Sequence, residues 1–356
     1  MLLTVAVFLI VLSILVLVHE LGHYLVARAI GVGIEEFGLG LPPRAWGKKI
    51  CGTVYSLNWL PIGGFVKLAG EDEEQSLAPK KQLFSARTKK ERVAILIAGV
   101  AMNFLLAIGV TAYLLTQGVM EPAGRVHIEQ VVPDSPASQA GLKEKDLVLE
   151  LSSSSKLLKS PKLPKDLIDF VKETTGQQVI LTVEREGKIV QVALIPRKVY
   201  PPGQGPMGVA ISDLEKRVYP WSIAPVKALE VNLLRAKDML VSLLQLIWRL
   251  ITLQPVNADV AGPIGIAQVT GQAVKFGWKA VLEFISILSL NLAVLNILPI
   301  PALDGGRLAF VFLEKILGRR IRPAFEKQTH QIGMIILFAL ILLVSLNDIL
   351  RLTRGG

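Results

Sequence analysis

The chain has 356 residues, of which 51% are hydrophobic, with a formal net charge of +10 and a mean hydropathy of +0.50. That hydropathy excludes an ordinary soluble domain and points to membrane spans. No basic helix interleaved with aromatics is present, which excludes a nucleic-acid module, and the single cysteine, Cys51, excludes an intramolecular disulfide.

In chain order, residues 2–29 are the first long apolar run. The run lacks a basic leader and a small-residue cleavage site, and it carries "HELGH", which a cleaved signal peptide would discard. Residues 93–117 are a second run of spanning length, about 20 residues or more. Residues 280–298 form a third and 332–350 a fourth. The stretch 239–253, "MLVSLLQLIWRLITL", holds Gln245 and Arg249. It reads as the end of an amphipathic helix that begins near Pro225 and lies on the membrane or against the core. Four spans place both termini on one side.

Lysines and arginines crowd 43–92 and 302–331. Short cytoplasmic loops carry this excess, so both segments are expected in the cytosol and the N-terminus outside. The long segment 118–279 then also lies outside, because large domains translocate largely regardless of charge. It opens as a small globular domain. An alternating strand, 126–132, meets the turn "PDSP", a short helix "PASQAGL" ends at Gly141, and a second strand spans 147–151. "SSSSKLLKSPKLPKD" is polar and loop-like, "LIDFVKET" has helical spacing, and "QQVILTVEREGKIVQVALIPR" is a hairpin turning at Glu186-Gly187. This order, with "SPASQAGLKEKD", resembles a PDZ domain of the bacterial kind, whose motif has glycine where Lys145 precedes Asp146. Domains of that kind capture peptides by adding a strand to a sheet edge.

The "HELGH" of the first span places His19 and His23 four residues apart, on one helical face, with Glu20 beside them. Two imidazoles at this spacing hold zinc, and the glutamate serves as general base. Two of the chain's four histidines are used here, inside a span where ionisable groups are expensive and functional by default. Gly22 leaves room beside the metal. Catalytic zinc takes three protein ligands and keeps a position for water. His127 falls in the outer domain, on the wrong side, and His330 at the cytosolic start of the fourth span reads as interfacial. "NLAVLNILPIPALDGGRL" leaves the third span through two helix-breaking prolines and delivers Asp304 to the cytosolic side, where the first span also carries His19 and His23.

With "HELGH" in the first span and "NILPIPALDGG" after the third, the sequence resembles the bacterial site-2 proteases, intramembrane zinc metalloproteases of the regulator of sigma-E protease type. The resemblance covers essentially the whole chain. It implies a polytopic α-helical membrane protein with four transmembrane helices, membrane-associated β-strands and one inserted extracytoplasmic PDZ domain of mixed α/β structure. It implies Zn2+ held by His19, His23 and Asp304, Glu20 as catalytic base, and Asn291, Asn296, Pro299 and Pro301 as substrate-binding residues. "GTVYSLNWLPIGGFVKLAG" matches strands that dip into the membrane near the site, where an exposed edge would bond an unwound substrate helix. "FGLGLPPR" keeps Gly40 of a family loop but departs beside it at Leu41 and Pro42, and "AGPIGIA" at 261–267 reads as a structural turn, with a substrate-gating role as the alternative.

The expected organisation is 1–117 for the first two spans and the hairpin, 118–200 for the PDZ domain, 201–278 for a linker and amphipathic helix, and 279–356 for the last two spans. The expected activity is hydrolysis of peptide bonds within or near transmembrane segments. Its partners would be transmembrane substrates such as anti-sigma factors or remnant signal peptides, peptide termini or periplasmic segments at the PDZ domain, and the bilayer, with no nucleic acid. The expected location is the bacterial cytoplasmic (inner) membrane. Two alternatives come from other classes. A catalytically silent scaffold would bind peptides through its PDZ domain but would have no use for Glu20. A transporter would show inverted repeats, and the halves show none. Within the enzyme class, an anchored soluble-type zinc peptidase would need a third ligand in a soluble domain, and none presents itself.

Overall fold

The computed structural model describes residues 2–71, 79–252, 254 and 262–353. Contacts divide the chain into two compact units, Met1–Thr116 with Pro220–Gly356, and Gln117–Tyr219.

The first unit opens with α1 (Leu2–Ile30), which carries "HELGH" in its second half. Two long strands follow, β1 (Ile34–Ile50) and β2 (Thr53–Leu68). Each pairs twice. Residues 44–50 fold back on 53–58 around the Cys51-Gly52 turn, and 36–39 lie between 54–57 on one side and 64–67 on the other. Two strands thus act as four short ones, with 64–67 at an edge. Then come α2 (Lys89–Gln117), α5 (Ala224–Ile251), α6 (Pro263–Phe276), α7 (Trp278–Asn296), α8 (Asp304–Leu317) and α9 (Pro323–Thr353), the elements numbered 3 to 8 in β and 3 to 4 in α belonging to the second unit. Among the described residues four helices are long and apolar enough to cross a membrane, α1, α2, α7 and α9. On α5, Leu233, Leu240, Leu244 and Trp248 are exposed while Asn232 is buried.

Hydroxyl and amide groups join these helices, as expected where apolar packing alone gives little preference between lipid and protein. Ser289 donates to the Asn103 carbonyl at 2.8 Å and Ser286 to the Ala107 carbonyl at 3.1 Å, fixing α7 on α2. Asn232 of α5 donates to Thr111 of α2 at 3.0 Å. A buried ion pair between Arg92 and Glu314 ties α8 to α2, and the Asp348 carboxylate on α9 accepts the Gly265 N–H at 2.9 Å in the first turn of α6. Beneath the site, Tyr24, Ala27, Ile34, Leu68, Phe84, Ile95 and Val311 form a small core.

The second unit holds β3 (Val119–Val131), α3 (Pro136–Gln139), β4 (Leu147–Ser153), β5 (Leu157–Lys159), α4 (Pro164–Glu173), β6 (Val179–Arg185), β7 (Lys188–Leu194) and β8 (Val209–Arg217). The sheet order is β7-β6-β4-β3-β8, with β5 on β4. Alternation buries Val126 and Ile128 of β3 and Val179, Leu181 and Val183 of β6 against Leu167 and Phe170 of α4, while a register shift between Val148 and Glu150 puts Val148 and Leu151 of β4 in the same core. Three features differ from the sequence expectation. β5 lies in the stretch read as a loop, and β8 and α6 both lie in 201–278, read as linker and amphipathic helix. The unit therefore runs past residue 200 to Tyr219, because β8 pairs along β3 from Val119 to Val131. Ala261, at the head of the stretch read as a structural turn, lies outside the described residues, and Pro263 onward is helical.

Asp146 is fully buried and is gripped by Arg185, Nε to Oδ1 at 2.7 Å and Nη2 to Oδ2 at 2.6 Å, while the Lys143 N–H donates at 2.9 Å. Burial works to raise its carboxyl, but these donors outweigh it and hold it below its ordinary 3.8. The neighbouring Lys145 stands at φ +69°, a left-handed conformation. This explains why the resembling motif has glycine here. An L-residue in that conformation costs about 1–2 kcal/mol, whereas glycine returns about 0.4–1 kcal/mol of that through its freer unfolded chain. Lys145→Gly is therefore expected to stabilise the unit by up to about 1.5 kcal/mol, read as slower hydrogen exchange across β4 and β6.

Candidate active site and metal centre

α1 runs unbroken through His19, Glu20 and His23, so both rings leave one face. The third group arrives by a different route. α7 ends at Asn296, and the loop 297–303 folds back over the first turn of α8, whose first residue is Asp304. Gly305 and Gly306 permit this fold. A Cβ on Gly305 would sit 2.0 Å from the Leu298 carbonyl oxygen, and one on Gly306 2.5 Å from that of Ile300. The "LDGG" motif is thus explained by the crossing of loop and helix.

The three groups converge. His19 Nε2 lies 2.9 Å and His23 Nε2 3.2 Å from Asp304 Oδ2, and the two Nε2 atoms are 3.2 Å apart. Among the described residues this is one cluster of three able to hold a metal ion. Zinc with ligands at about 2.0–2.1 Å in a tetrahedron sets neighbouring donor atoms about 3.3 Å apart, so the spacing fits. The protonation pattern fits too. His23 Nδ1 lies 2.8 Å from the Ile95 carbonyl, which can only accept, so it carries the ring proton and Nε2 of the neutral ring presents a lone pair. The Asp304 carboxylate faces both rings. Its Oδ2 is buried with no hydrogen-bond partner. A lone pair and a carboxylate oxygen facing each other at 3.2 Å repel unless a cation sits between them.

Glu20 is not one of the three. Its Oε2 accepts the Val66 N–H at 3.0 Å, from the outer side of the edge segment 64–67. A cavity of about 440 Å³ is lined by Glu20, His23, Val66, Asp304, Arg307 and His330, among others. Arg307, one turn beyond Asp304, pairs with Glu71, three residues past the end of β2.

Of the four residues that the resemblance assigned to substrate, Asn296 reaches the centre, its Nδ2 3.5 Å from His19 Nε2. Asn291 is exposed on α7. Five residues turn a helix by about 500°, so Asn291 and Asn296 face different directions. Pro299 is exposed, and Pro301 lies under Gly333 of α9, where an added Cβ would come within 2.4 Å of it. None of these three lines the cavity.

Two expectations change. The space left by Gly22 belongs to α2, since a Cβ there would meet the Ala98 carbonyl oxygen at 2.3 Å. The glycine beside the ligands is Gly99, whose Cβ would lie 2.3 Å from His23 Nε2. His330, read as interfacial, lines the cavity. Neither residue belongs to a motif. The only sequence signals are the small-residue run "AGVA" in the second span and a histidine at the head of the fourth. His127 is partly buried in β3, opposite Leu147 and Ser212.

The family model described as Peptidase family M50 matches residues 7–340. A relative from Fusobacterium nucleatum is 32% identical, over 96% of this chain and 97% of its own. The regulator of sigma-W protease RasP of Bacillus subtilis is 28% identical, over 98% of this chain and 99% of that one. The zinc metalloprotease RasP of Oceanobacillus iheyensis is 26% identical over the same shares.

Proposed function

The chain belongs to peptidase family M50 and is a zinc-dependent intramembrane endopeptidase, and on that premise we propose that His19, His23 and Asp304 hold the zinc while Glu20 acts as general base and acid. The observation that carries this reading is the 2.9–3.2 Å triangle of ligand atoms with Glu20 in the same cavity. Bound zinc supplies Lewis acidity toward water and the scissile carbonyl.

The protein's own groups do the rest. Glu20, held by the Val66 N–H, accepts a proton from the attacking water and returns it to the leaving amine. The Asn296 amide donates toward the carbonyl oxygen as charge develops there. A substrate helix is fully self-bonded in lipid, so it must unwind before attack. The outer edge of 64–67 supports a role in receiving the unwound segment as an added strand. Pro299 and Pro301 then act through the shape of the loop that carries Asp304.

The same reading extends to the wider molecule. The basic loops 43–92 and 302–331 support an active site toward the cytosol and an N-terminus outside, in the bacterial cytoplasmic membrane. The Gln117–Tyr219 unit is a PDZ domain on the outer side that tethers or screens substrates already trimmed there. Its fold of short strands with two helices and the "SPASQAGLKEKD" stretch support this. One relative is a regulator of sigma-W protease, which favours anti-sigma factors as substrates, beside remnant signal peptides.

The test is zinc content together with cleavage of detergent-solubilised transmembrane peptides. One zinc per chain is expected, with cuts inside the apolar segment that a chelator abolishes and added zinc restores. A purified, folded chain that takes up no zinc would overturn the reading.

A further inference from the structure

His330 of α9 sits beside the loop that carries the third ligand. Its Nδ1 lies 3.0 Å from the Ala302 backbone nitrogen. A backbone N–H can only donate, so Nδ1 accepts and the neutral ring carries its proton on Nε2. That Nε2–H is buried with no partner among the described residues. A buried donor left unsatisfied costs about 1–3 kcal/mol, and such an orphan needs an explanation. The ring lines the same cavity as Glu20, His23 and Asp304.

Ala302 needs the support it receives. It stands at φ +81°, a left-handed conformation that a non-glycine residue holds only when its surroundings impose it. Two contacts from α9 impose it. The first is the hydrogen bond from Ala302 to His330. The second, one turn along the helix, is Gly333, where a Cβ would come within 2.8 Å of the Pro301 carbonyl carbon and oxygen. Asp304 follows Ala302 by two residues, so whatever fixes this turn also aims the carboxylate. The ring also packs on Phe310, with centroids 5.6 Å apart, which limits its rotation.

We propose that His330 is a two-sided positioning residue: Nδ1 holds the turn that presents Asp304, and Nε2–H donates to a backbone carbonyl of the bound peptide in the cavity. This rests on the site reading above. In it, α9 is part of the active site rather than a membrane anchor alone.

The experiment compares full-length wild type, His330→Ala and His330→Asn for zinc affinity and for kcat and KM on a detergent-solubilised transmembrane peptide. An asparagine oxygen reaches the position of Nδ1 but offers nothing at Nε2. His330→Ala is expected to weaken zinc binding about 10- to 100-fold, as loss of a ligand's supporting partner does. His330→Asn is expected to restore zinc binding yet keep KM raised about 2- to 10-fold with kcat little changed, the loss of one hydrogen bond made equally in ground and transition states. If His330→Ala keeps wild-type zinc affinity, or His330→Asn fails to restore it, Nδ1 does not hold the ligand turn and the proposal falls. If His330→Asn restores KM as well, Nε2 touches no substrate and the proposal again falls. Zinc-free wild type would overturn the site itself, an outcome distinct from these because it precedes any change at His330.

Discussion

Glu20→Gln is expected to retain one zinc per chain and to lose cleavage by about 10²- to 10⁴-fold, the usual worth of a positioned acid–base group. The geometry separates the two properties. The metal cluster consists of His19, His23 and Asp304 and does not include Glu20. A glutamine is the same size, and its carbonyl oxygen still accepts the Val66 N–H that the carboxylate now accepts at 3.0 Å. Fold, zinc and the edge of β2 are therefore preserved while the proton acceptor is gone. The check is metal analysis beside turnover on one peptide. Loss of zinc along with activity would show that Glu20 serves the metal centre and not proton transfer. Cleavage at the wild-type rate would move the base elsewhere in the cavity. A wild type that holds zinc yet cuts nothing across a broad peptide panel would favour the silent scaffold.

What the sequence made legible followed from constraints that act locally. A span must be apolar for about 20 residues whatever it packs against, so all four candidate spans stand out as runs. Two ligands on one face of a helix sit three or four residues apart, so His19 and His23 announce themselves. Asp304 was reachable because the prolines before it and the glycines after it mark an abrupt change of direction. What stayed hidden depends on which backbones meet. The double pairing of β1 and β2 needs 36–39 to sit between 54–57 and 64–67, a register that no alternation pattern encodes. β8 follows β7 after a proline- and glycine-rich stretch, and its role lies in its distant partner β3. The roles of His330 and Gly99 arise from crossings of α9 with the ligand loop and of α2 with α1. Asn291 and Pro299 show the converse. The motif places them near the site in sequence, but helical rotation and the loop's course turn them outward.

Gly99→Ala carries the second large expected effect, and competing magnitudes decide its sign. On helix propensity alone the change stabilises α2 by about 1 kcal/mol. At this position the new methyl would sit 2.3 Å from His23 Nε2, 2.7 Å from its Cε1 and 2.8 Å from His19 Cε1. Relief by ring movement is blocked, because His23 is anchored through Nδ1 to the Ile95 carbonyl at 2.8 Å, one turn earlier on the same helix. Retreat of the helices is restricted as well, since α1 and α2 touch at Gly22, where a Cβ would lie 2.3 Å from the Ala98 carbonyl oxygen. Overpacking of this kind costs about 1–3 kcal/mol, more than propensity returns, and the strain falls on a ligand. Zinc affinity is expected to drop by at least about 10- to 100-fold, the loss seen when a ligand's orientation is disturbed, with activity following. Gly109→Ala is the control. It lies on the same helix with nothing within 4 Å of an added Cβ, so it should be neutral or stabilising and leave zinc untouched. Metal competition on the two variants reads the difference directly. If Gly99→Ala binds zinc as tightly as Gly109→Ala, the two histidines do not lie against α2 as described, and the ligand triangle built on that contact is wrong.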